Sequence, residues 1–281
     1  MLSNIKITRI TCSTFAFLSS ESNGGSINYK LSQKPIEIER CLFYNSSTTM
    51  QGGAVYLEQS STSFSSNSFF GCLSNTKTDG QFGNAMFIYM SQSNLNESSF
   101  FFCAPDYSKC SDSCVCMKEE KSISVSCNGS NNYGCGGSGL VSIYDAADGT
   151  FVKFNKVCQC FDWFFIEFVR SNYIASHCEF VDASGQDYIF CVDSAIATFE
   201  NCSFLNIYNK PIWQIGTNEY HYVNCITNEN YPDMTNTEYN QPYHIETFSY
   251  QKVECNNIHC SYSYYRNPIC YEFMLGFFVS M

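Results

Sequence analysis

The sequence has little charge, and basic residues are especially scarce. Only 15 % of the 281 residues are charged, and the net charge is −11. A typical globular domain has about 25 % charged residues. Lys and Arg never occur side by side, so the chain has no basic patch that would displace counterions from a nucleic-acid backbone. The composition therefore disfavours nucleic acids and anionic membrane surfaces as partners.

Long apolar segments are also missing. Lys6 and Arg9 are not followed by a continuous apolar core, so the N-terminal segment does not resemble a complete signal peptide. The apolar C-terminal segment 273–281 has nine residues, whereas a membrane-spanning helix needs about 20. We interpret it as a terminal strand or as the start of a membrane anchor that continues beyond the C-terminus.

Cysteine and aromatic residues are abundant instead. The chain has 18 Cys, 25 Phe and 20 Tyr, and this much apolar surface indicates a folded chain rather than a disordered one. So many cysteines indicate a disulfide framework in an oxidising compartment or metal sites in a reducing one. A third interpretation is that Cys serves as a small inward-facing residue stacked along a solenoid.

One short motif recurs along the chain. It consists of an apolar residue, two polar residues, then Cys, Asn or Ser, one further residue and usually an aromatic. Its central residues are Cys41, Asn67, Ser98, Cys178, Cys202 and, more weakly, Cys225. The intervals are 26 and 31 residues in the first group and 24 and 23 in the second. Such variable spacing is typical of a β-solenoid, in which each coil has fixed strands and outer loops of free length.

Small residues at regular places predict the corners of these coils. Pairs that begin with Gly precede several apolar strands, where Gly allows a positive φ without a Cβ clash; they begin at Gly24, Gly52, Gly83 and Gly136. The residues two positions after the motif aromatic are Asn45, Asp182 and Asn206, which tolerate left-handed turn geometry. Between corners, apolar and polar residues alternate as in strands. Phe43, Phe69 and Phe100 are expected to stack from coil to coil.

Two of these motifs resemble those of a known family. GGAV at Gly52–Val55 and FSSN at Phe64–Asn67 are similar to the GGA(I/L/V) and FxxN repeats of bacterial polymorphic outer-membrane proteins and of surface proteins from parasitic protists. The resemblance implies a right-handed parallel β-helix of the pectin-lyase-like type, displayed on the cell surface and often linked to adhesion. We therefore predict an all-β fold, a single-stranded right-handed parallel β-helix of about nine or ten coils that forms one domain over residues 1–281.

Two segments interrupt the repeat. Residues 103–135 are predicted to be a Cys-rich loop insertion, and residues 228–247, with Pro232 and Pro242, a long loop. Loops that leave a solenoid commonly carry its binding surface.

The first of these segments holds the candidate metal ligands. Its zinc or disulfide candidates are Cys110, Cys114, Cys116, Cys127 and Cys135. The segment has neither paired CxxC knuckles nor a His, so disulfides and free thiols remain alternatives to zinc. At the repeat positions we expect reduced, packed Cys, because stacked strands lie only about 4.8 Å apart. No cofactor is predicted.

The parallel β-helix also hosts carbohydrate-active enzymes, whose sites require particular residues. A hydrolase needs two carboxylates on either side of the glycosidic bond that it cleaves. A lyase needs a cluster of Asp residues that binds Ca²⁺ next to a basic residue. The sequence has no Asp-Asp pair and no Asn-Thr-Asp triplet. His177 and His221 are interpreted as polar strand residues. No catalytic residue is predicted, and the chain is not expected to be an enzyme.

The sequence thus favours a non-catalytic cell-surface or secreted protein that binds an unknown protein or glycan ligand in adhesion or host and matrix contact. Two alternatives remain. One is a carbohydrate-active enzyme, either a polysaccharide lyase or a hydrolase, and the other is the structural stalk of a larger surface protein. Membrane anchorage would depend on sequence beyond the C-terminus.

Overall fold

Alternation between core and surface defines the strands. In the segment Ile36–Glu39, both Ile side chains are buried while both Glu side chains lie outside. The computed structural model describes residues 7–30, 34–59, 61–75, 83–89, 92–103, 113–119, 122–130, 132, 138–146, 150–153, 156–158, 164–170, 172–181, 188–194, 196–205, 210–215, 219–227, 253–255 and 258–260. Every regular element among them is a strand, and none is a helix long and apolar enough to span a bilayer.

The strands form three parallel sheets. Sheet A has two legs that meet at a corner. Its first leg contains β1 (Thr8–Thr11), β5 (Ile36–Glu39), β9 (Ser61–Ser65), β13 (Gln92–Phe101), β15 (Ser122–Ser130), β17 (Thr150–Lys153), β20 (Tyr173–Ser176), β23 (Ile196–Glu200) and β26 (Glu219–Val223). Its second leg contains the ends of β13 and β15 together with β2 (Thr14–Ala16), β6 (Leu42–Tyr44), β10 (Ser68–Phe70), β18 (Lys156–Cys158), β21 (Glu179–Val181), β24 (Ser203–Leu205) and β27 (Ile226–Thr227).

Sheets B and C complete each turn of the chain. Sheet B is short and contains β3 (Ser19–Ser20), β7 (Ser47–Thr48) and β11 (Leu73–Ser74). Sheet C contains β4 (Ile27–Lys30), β8 (Val55–Glu58), β12 (Met86–Tyr89), β14 (Val115–Lys118), β16 (Ser138–Tyr144), β19 (Phe164–Val169), β22 (Tyr188–Asp193) and β25 (Lys210–Ile215). An antiparallel hairpin lies outside these sheets, β28 (Val253–Cys255) with β29 (Ile258–Cys260).

The chain is therefore a parallel β-solenoid, which confirms the predicted all-β fold class. A coil runs from a first-leg strand of sheet A to the next strand of sheet C, and coils are numbered from β1. The eight strands of sheet C close eight coils in the described part, and β26 with β27 begins another. The prediction of nine or ten coils was too high, because it extended the repeat through Cys255, where the described strands form the antiparallel hairpin instead.

The residues that turn the corners have positive φ. Asn45 lies at the corner after the second leg of sheet A with φ 49°, as predicted, whereas Asp182 and Asn206 lie outside the described residues. The corner between the two legs of sheet A accepts residues without a special preference, such as Arg40 at φ 52°. There the amide of Arg40 donates to the carbonyl of Ser65 on the next coil, 2.9 Å away, and this bond stabilises the turn.

The paired glycines act at the entrance to sheet C. Gly24, Gly52 and Gly83 have φ of 71°, 69° and 84°, which confirms three of the predicted corners, and Gly136 lies outside the described residues. Gly53 has a different role, since a Cβ there would lie 1.9 Å from the backbone oxygen of Asn84 on the next coil. The absent side chain lets neighbouring coils approach.

Aromatic side chains fill the interior in register. The ring centroids of Phe43 and Phe69 are 4.6 Å apart, and those of Phe69 and Phe100 are 4.7 Å apart, with nearly parallel planes. All three side chains are buried, which confirms the predicted stack.

The prediction of a loop insertion at 103–135 was wrong for the described residues. β14 pairs with β12 and β16 in sheet C, and β15 pairs with β13 and β17 in sheet A. The Cys-rich composition concealed this, because Cys103, Cys114 and Cys127 take buried places where other coils have Ala, Ser or Asn. The predicted loop at 228–247 lies outside the described residues.

Candidate functional site

The structure distributes the candidate zinc or disulfide cysteines among different places. Cys114 and Cys127 pack in the main core, whereas Cys116 is buried on the outward side of sheet C against Tyr56 and Phe87. Cys110 and Cys135 lie outside the described residues. Within the described part of the chain, no three His, Cys, Asp or Glu side chains converge as a metal site would require.

His177 and His221, which the sequence predicts to be polar strand residues, are not brought together. His177 is a corner residue with φ 55°, and its Nδ1 lies 2.7 Å from the hydroxyl of Ser176. His221 is exposed on β26, in register with Thr198 of β23. The two side chains belong to different columns of the solenoid.

The outward side of sheet C carries a set of paired tyrosines and carboxylates. We call it the tyrosine–carboxylate face, and its members are Tyr56, Glu58, Tyr89, Glu119, Tyr144 and Glu167. The hydroxyl of Tyr56 donates to Glu58 at 3.0 Å, and that of Tyr89 lies 3.4 Å from a carboxylate oxygen of Glu119. The hydroxyl of Tyr144 donates to Glu167. Each of the last two pairs joins neighbouring coils.

Glu167 is the carboxylate of this face whose pKa is shifted by burial. Burial raises the pKa of Glu167, and the nearby charge of Asp193 raises it further, while hydrogen bonds from Tyr144 and Ser142 act in the opposite direction. The Ser142 hydroxyl donates at 3.0 Å. Burial, with the charge of Glu167, also raises the pKa of Tyr144. Glu167 therefore holds its proton more tightly than a solvent-exposed carboxyl group does.

The neighbouring carboxylates have other partners. Arg170 forms two contacts with Asp145, of 2.7 and 2.8 Å, across coils five and six. Lys30 lies 4.7 Å from the centroid of the Tyr56 ring and 4.0 Å from Glu58. These contacts link successive coils along the face and hold its side chains in place.

A polar groove lies over sheet B in coils one to three. Most of its lining bears hydroxyl, amide or carboxylate groups, from Ser19, Ser20, Glu21, Ser47, Thr48, Thr49, Leu73 and Asn75. Thr48 is held within the corner, where its hydroxyl donates to the carbonyl of Ser22. Ser19 and Ser47 lie in register on adjacent strands with outward side chains. The groove therefore presents polar groups from each of the three coils.

An exposed aromatic ring lies two residues before this groove. Phe17 is 71 % exposed and occupies a corner with φ 55°. Its ring meets Tyr44 edge to face, with centroids 5.1 Å apart and planes at 80°. Tyr44 in turn stacks on Phe70 at 5.1 Å. Phe17 thus lies at the end of a surface stack of aromatic rings, and its ring is nearly perpendicular to that of Tyr44.

Sequence reasoning missed both surfaces. The groove and the tyrosine–carboxylate face consist of residues from several coils, so no contiguous motif marks them. The available signal was the alternation after each Gly corner: in Val55–Glu58, the second and fourth residues face outward. Aligning the coils on that corner would have placed Tyr56, Phe87 and Cys116 in one outward column.

Comparison with known proteins does not assign the chain to a family. No protein-family model matches the chain, and no curated protein matches it. The fold defines a parallel β-solenoid.

Proposed function

We propose that this chain is a non-catalytic recognition module of a cell-surface or secreted protein, and that it binds a glycan in adhesion to a host or matrix. The GGAV and FSSN motifs support the finer proposal of a right-handed, pectin-lyase-like helix similar to polymorphic outer-membrane proteins. Anchorage to a membrane through sequence beyond the C-terminus belongs to the same proposal.

The groove over sheet B carries this proposal. Glycans present hydroxyl groups along their edges and apolar C–H groups on their ring faces. Ser19, Ser47 and Asn75 offer hydrogen-bond donors and acceptors, and Glu21 offers a carboxylate that can accept from two hydroxyls. Phe17, two residues before Ser19 in the chain, adds an exposed aromatic ring.

The repeat geometry suits an extended ligand. Parallel strands repeat every ~4.8 Å, so equivalent side chains of successive coils form a rigid row along the solenoid. Because this row is set by backbone hydrogen bonds, a ligand would not have to order it on binding, which favours affinity.

Binding to a panel of immobilised oligosaccharides, followed by titration calorimetry, tests the proposal. We expect Phe17→Ala to weaken binding of any ligand found by at least about tenfold, the loss expected for an aromatic contact worth ~1.4 kcal/mol. Phe102→Ala is the matched control, because Phe102 holds the equivalent corner on coil four, beyond the groove.

Equal binding by the wild type and the Phe17 variant would contradict the proposal, as would the absence of any glycan ligand. The latter result would favour the structural stalk. Circular dichroism of each variant verifies that the fold is kept.

One observation favours a carbohydrate-active enzyme as a second candidate. Glu167 and Asp193 lie on the outward side of sheet C on consecutive coils, and the pKa of Glu167 is raised. Two neighbouring carboxyl groups, one of them with a raised pKa, are the kind of pair that glycoside hydrolases use as acid and base. Reducing-end release from polygalacturonate and neutral glycans, with and without Ca²⁺, tests it. Activity that is lost in both Glu167→Gln and Asp193→Asn supports the enzyme, and no activity argues against it.

A further inference from the structure

Two columns of outward side chains line the groove over sheet B, and each column takes one residue from each coil. The first column consists of Ser19, Ser47 and Leu73, and the second of Glu21, Thr49 and Asn75. Backbone hydrogen bonds hold the second column in register, since the amide of Thr49 donates to Ser20 at 3.2 Å and that of Asn75 to Thr48 at 2.8 Å. From coil one to coil three, each column spans about 10 Å, which is two strand spacings.

The chemistry of the groove changes from one end to the other. Glu21 places a carboxylate at the coil-one end, and the middle coil offers the hydroxyls of Ser47 and Thr49. At the coil-three end, Leu73 lies in one column and the amide of Asn75 in the other. Among the described residues that line the groove there is no Lys, Arg or His. The groove is therefore negatively charged at one end and neutral at the other.

Glu21 is held through its backbone while its side chain stays exposed. Its carbonyl oxygen accepts from the Thr49 hydroxyl at 3.3 Å, and the hydroxyls of Ser20 and Ser22 on either side of it lie 2.8 Å apart. Within the described part of the chain, no hydrogen bond or ion pair involves the carboxylate of Glu21. The structure thus presents this carboxylate from a fixed position in the groove.

The other described carboxylates of coils one to three already have cationic partners. The pairs are Glu37 with Arg9 at 2.6 Å, Glu39 with Arg40 at 3.1 Å and Glu58 with Lys30 at 4.0 Å. Of the carboxylates described in these three coils, Glu21 alone keeps a charge that no cation of the chain offsets. The net charge of −11 adds a negative field that acts against anionic ligands.

We propose that the groove over sheet B prefers glycans that carry free amino groups to N-acetylated glycans and to glycans of uronic acids, and that Glu21 determines this preference. The inference rests on the proposed function, because it names the class of glycan that the same groove binds. A protonated amine donates charge-assisted hydrogen bonds to a carboxylate, whereas an acetamide has no charge and a uronate is repelled. Because Glu21 is exposed, water and salt weaken the pair, and the preference should be about two- to fivefold.

The test is titration calorimetry of the full chain with three oligosaccharides of equal length in mildly acidic buffer of low salt, where sugar amines are protonated. The probes are the β-1,4-linked tetramer of glucosamine, the same tetramer with N-acetyl groups, and the tetramer of galacturonate. The glucosamine tetramer should bind most tightly and the galacturonate tetramer most weakly. Added salt should reduce the differences, because it screens exposed charges.

Two variants that remove the same charge decide whether Glu21 is responsible. Glu21→Gln should bind the glucosamine and N-acetylglucosamine tetramers equally. Glu97→Gln should keep the preference of the wild type, because Glu97 lies at the corner between the two legs of sheet A, outside the groove, where it accepts from Ser66. Unchanged thermal midpoints verify that both variants keep the fold.

The possible failures are distinct. A wild type that binds the acetylated or the galacturonate tetramer as tightly as the glucosamine tetramer would overturn this inference and leave glycan binding intact. A preference that persists in Glu21→Gln, or that Glu97→Gln loses equally, would overturn the role of Glu21. If no oligosaccharide binds, here or in the wider panel, the proposed function fails and the inference fails with it.

Discussion

At the scale of the residue, one feature explains why the repeat accepts Cys, Asn or Ser at its centre. These side chains point inward at a corner and bond to backbone groups that the turn leaves without partners. The thiols of Cys202 and Cys225 lie 3.4 and 3.6 Å from the carbonyl two residues earlier. The Ser98 hydroxyl donates to the equivalent carbonyl at 3.2 Å. The three residue types share a small size and a donor, which makes them interchangeable in the sequence.

Asn67 makes two short bonds of this kind and is the best place to test this explanation. Its amide donates to the carbonyl of Ile38 at 2.8 Å and its oxygen accepts from the amide of Cys41 at 2.9 Å. Asn67→Ala should lower the free energy of unfolding by about 1–3 kcal/mol, because two buried backbone groups lose their partners.

Asn67→Ser is the matched control, since Ser holds the same place on the next coil. It should cost clearly less than Asn67→Ala in urea denaturation. Equal losses for the two variants would show that the side-chain bonds are not what the repeat preserves.

At the scale of the element, close packing of coils depends on single backbone positions. Gly53 and Gly71 lie on neighbouring coils but meet different surroundings. An added Cβ at Gly53 would lie 1.9 Å from a backbone oxygen, whereas one at Gly71 would lie 2.1 Å from the end of the Asn45 side chain. Backbone cannot move aside without breaking the sheets, and a side-chain amide can.

These surroundings predict opposite tolerance. Gly53→Ala should destabilise the protein by at least about 3 kcal/mol or prevent folding, since two coils must separate. Gly71→Asn should cost about 1 kcal/mol, because Asn tolerates the left-handed conformation and already occupies the equivalent corner at Asn45. Thermal unfolding of both variants measures the difference. A well-folded Gly53→Ala with an unchanged midpoint would contradict the observed coil spacing.

The outward side of sheet C should make stability depend on pH. The folded state raises the pKa of Glu167 above its value in the unfolded chain. Its contribution is therefore fully present below the unfolded pKa of about 4.3 and is lost as pH rises through the folded pKa. Glu167→Gln should remove this decline, so that the variant gains stability over the wild type as pH rises towards neutrality.

Tyr144→Phe should have the opposite effect on this pH dependence. The Tyr144 hydroxyl stabilises the ionised carboxylate, so its loss raises the pKa of Glu167 further and steepens the decline. Urea titrations from acidic to mildly alkaline pH compare the three proteins. Parallel curves for all of them would show that Glu167 does not titrate in a buried environment.

At the scale of the whole molecule, the sequence was sufficient for the architecture and insufficient for the surfaces. The spacing of Cys41, Asn67 and Ser98 predicted coils, and the Gly corners and the Phe43 stack were confirmed. The strands β14 and β15 were missed, since Cys replaced the expected small or apolar residues. The groove and the tyrosine–carboxylate face were missed for a different reason. They depend on the register between coils, which loop lengths conceal.

The stacking of coils is the central claim, and distances between spin labels test it most directly. Arg9, Ile174, Thr198 and His221 occupy one outward column of sheet A through a continuous register. Labels attached through a ketone-bearing unnatural amino acid leave the cysteines untouched. From position 9, the stack predicts separations of about 29, 34 and 38 Å to the other three, one strand spacing per coil. Separations that do not increase in this order would contradict the solenoid.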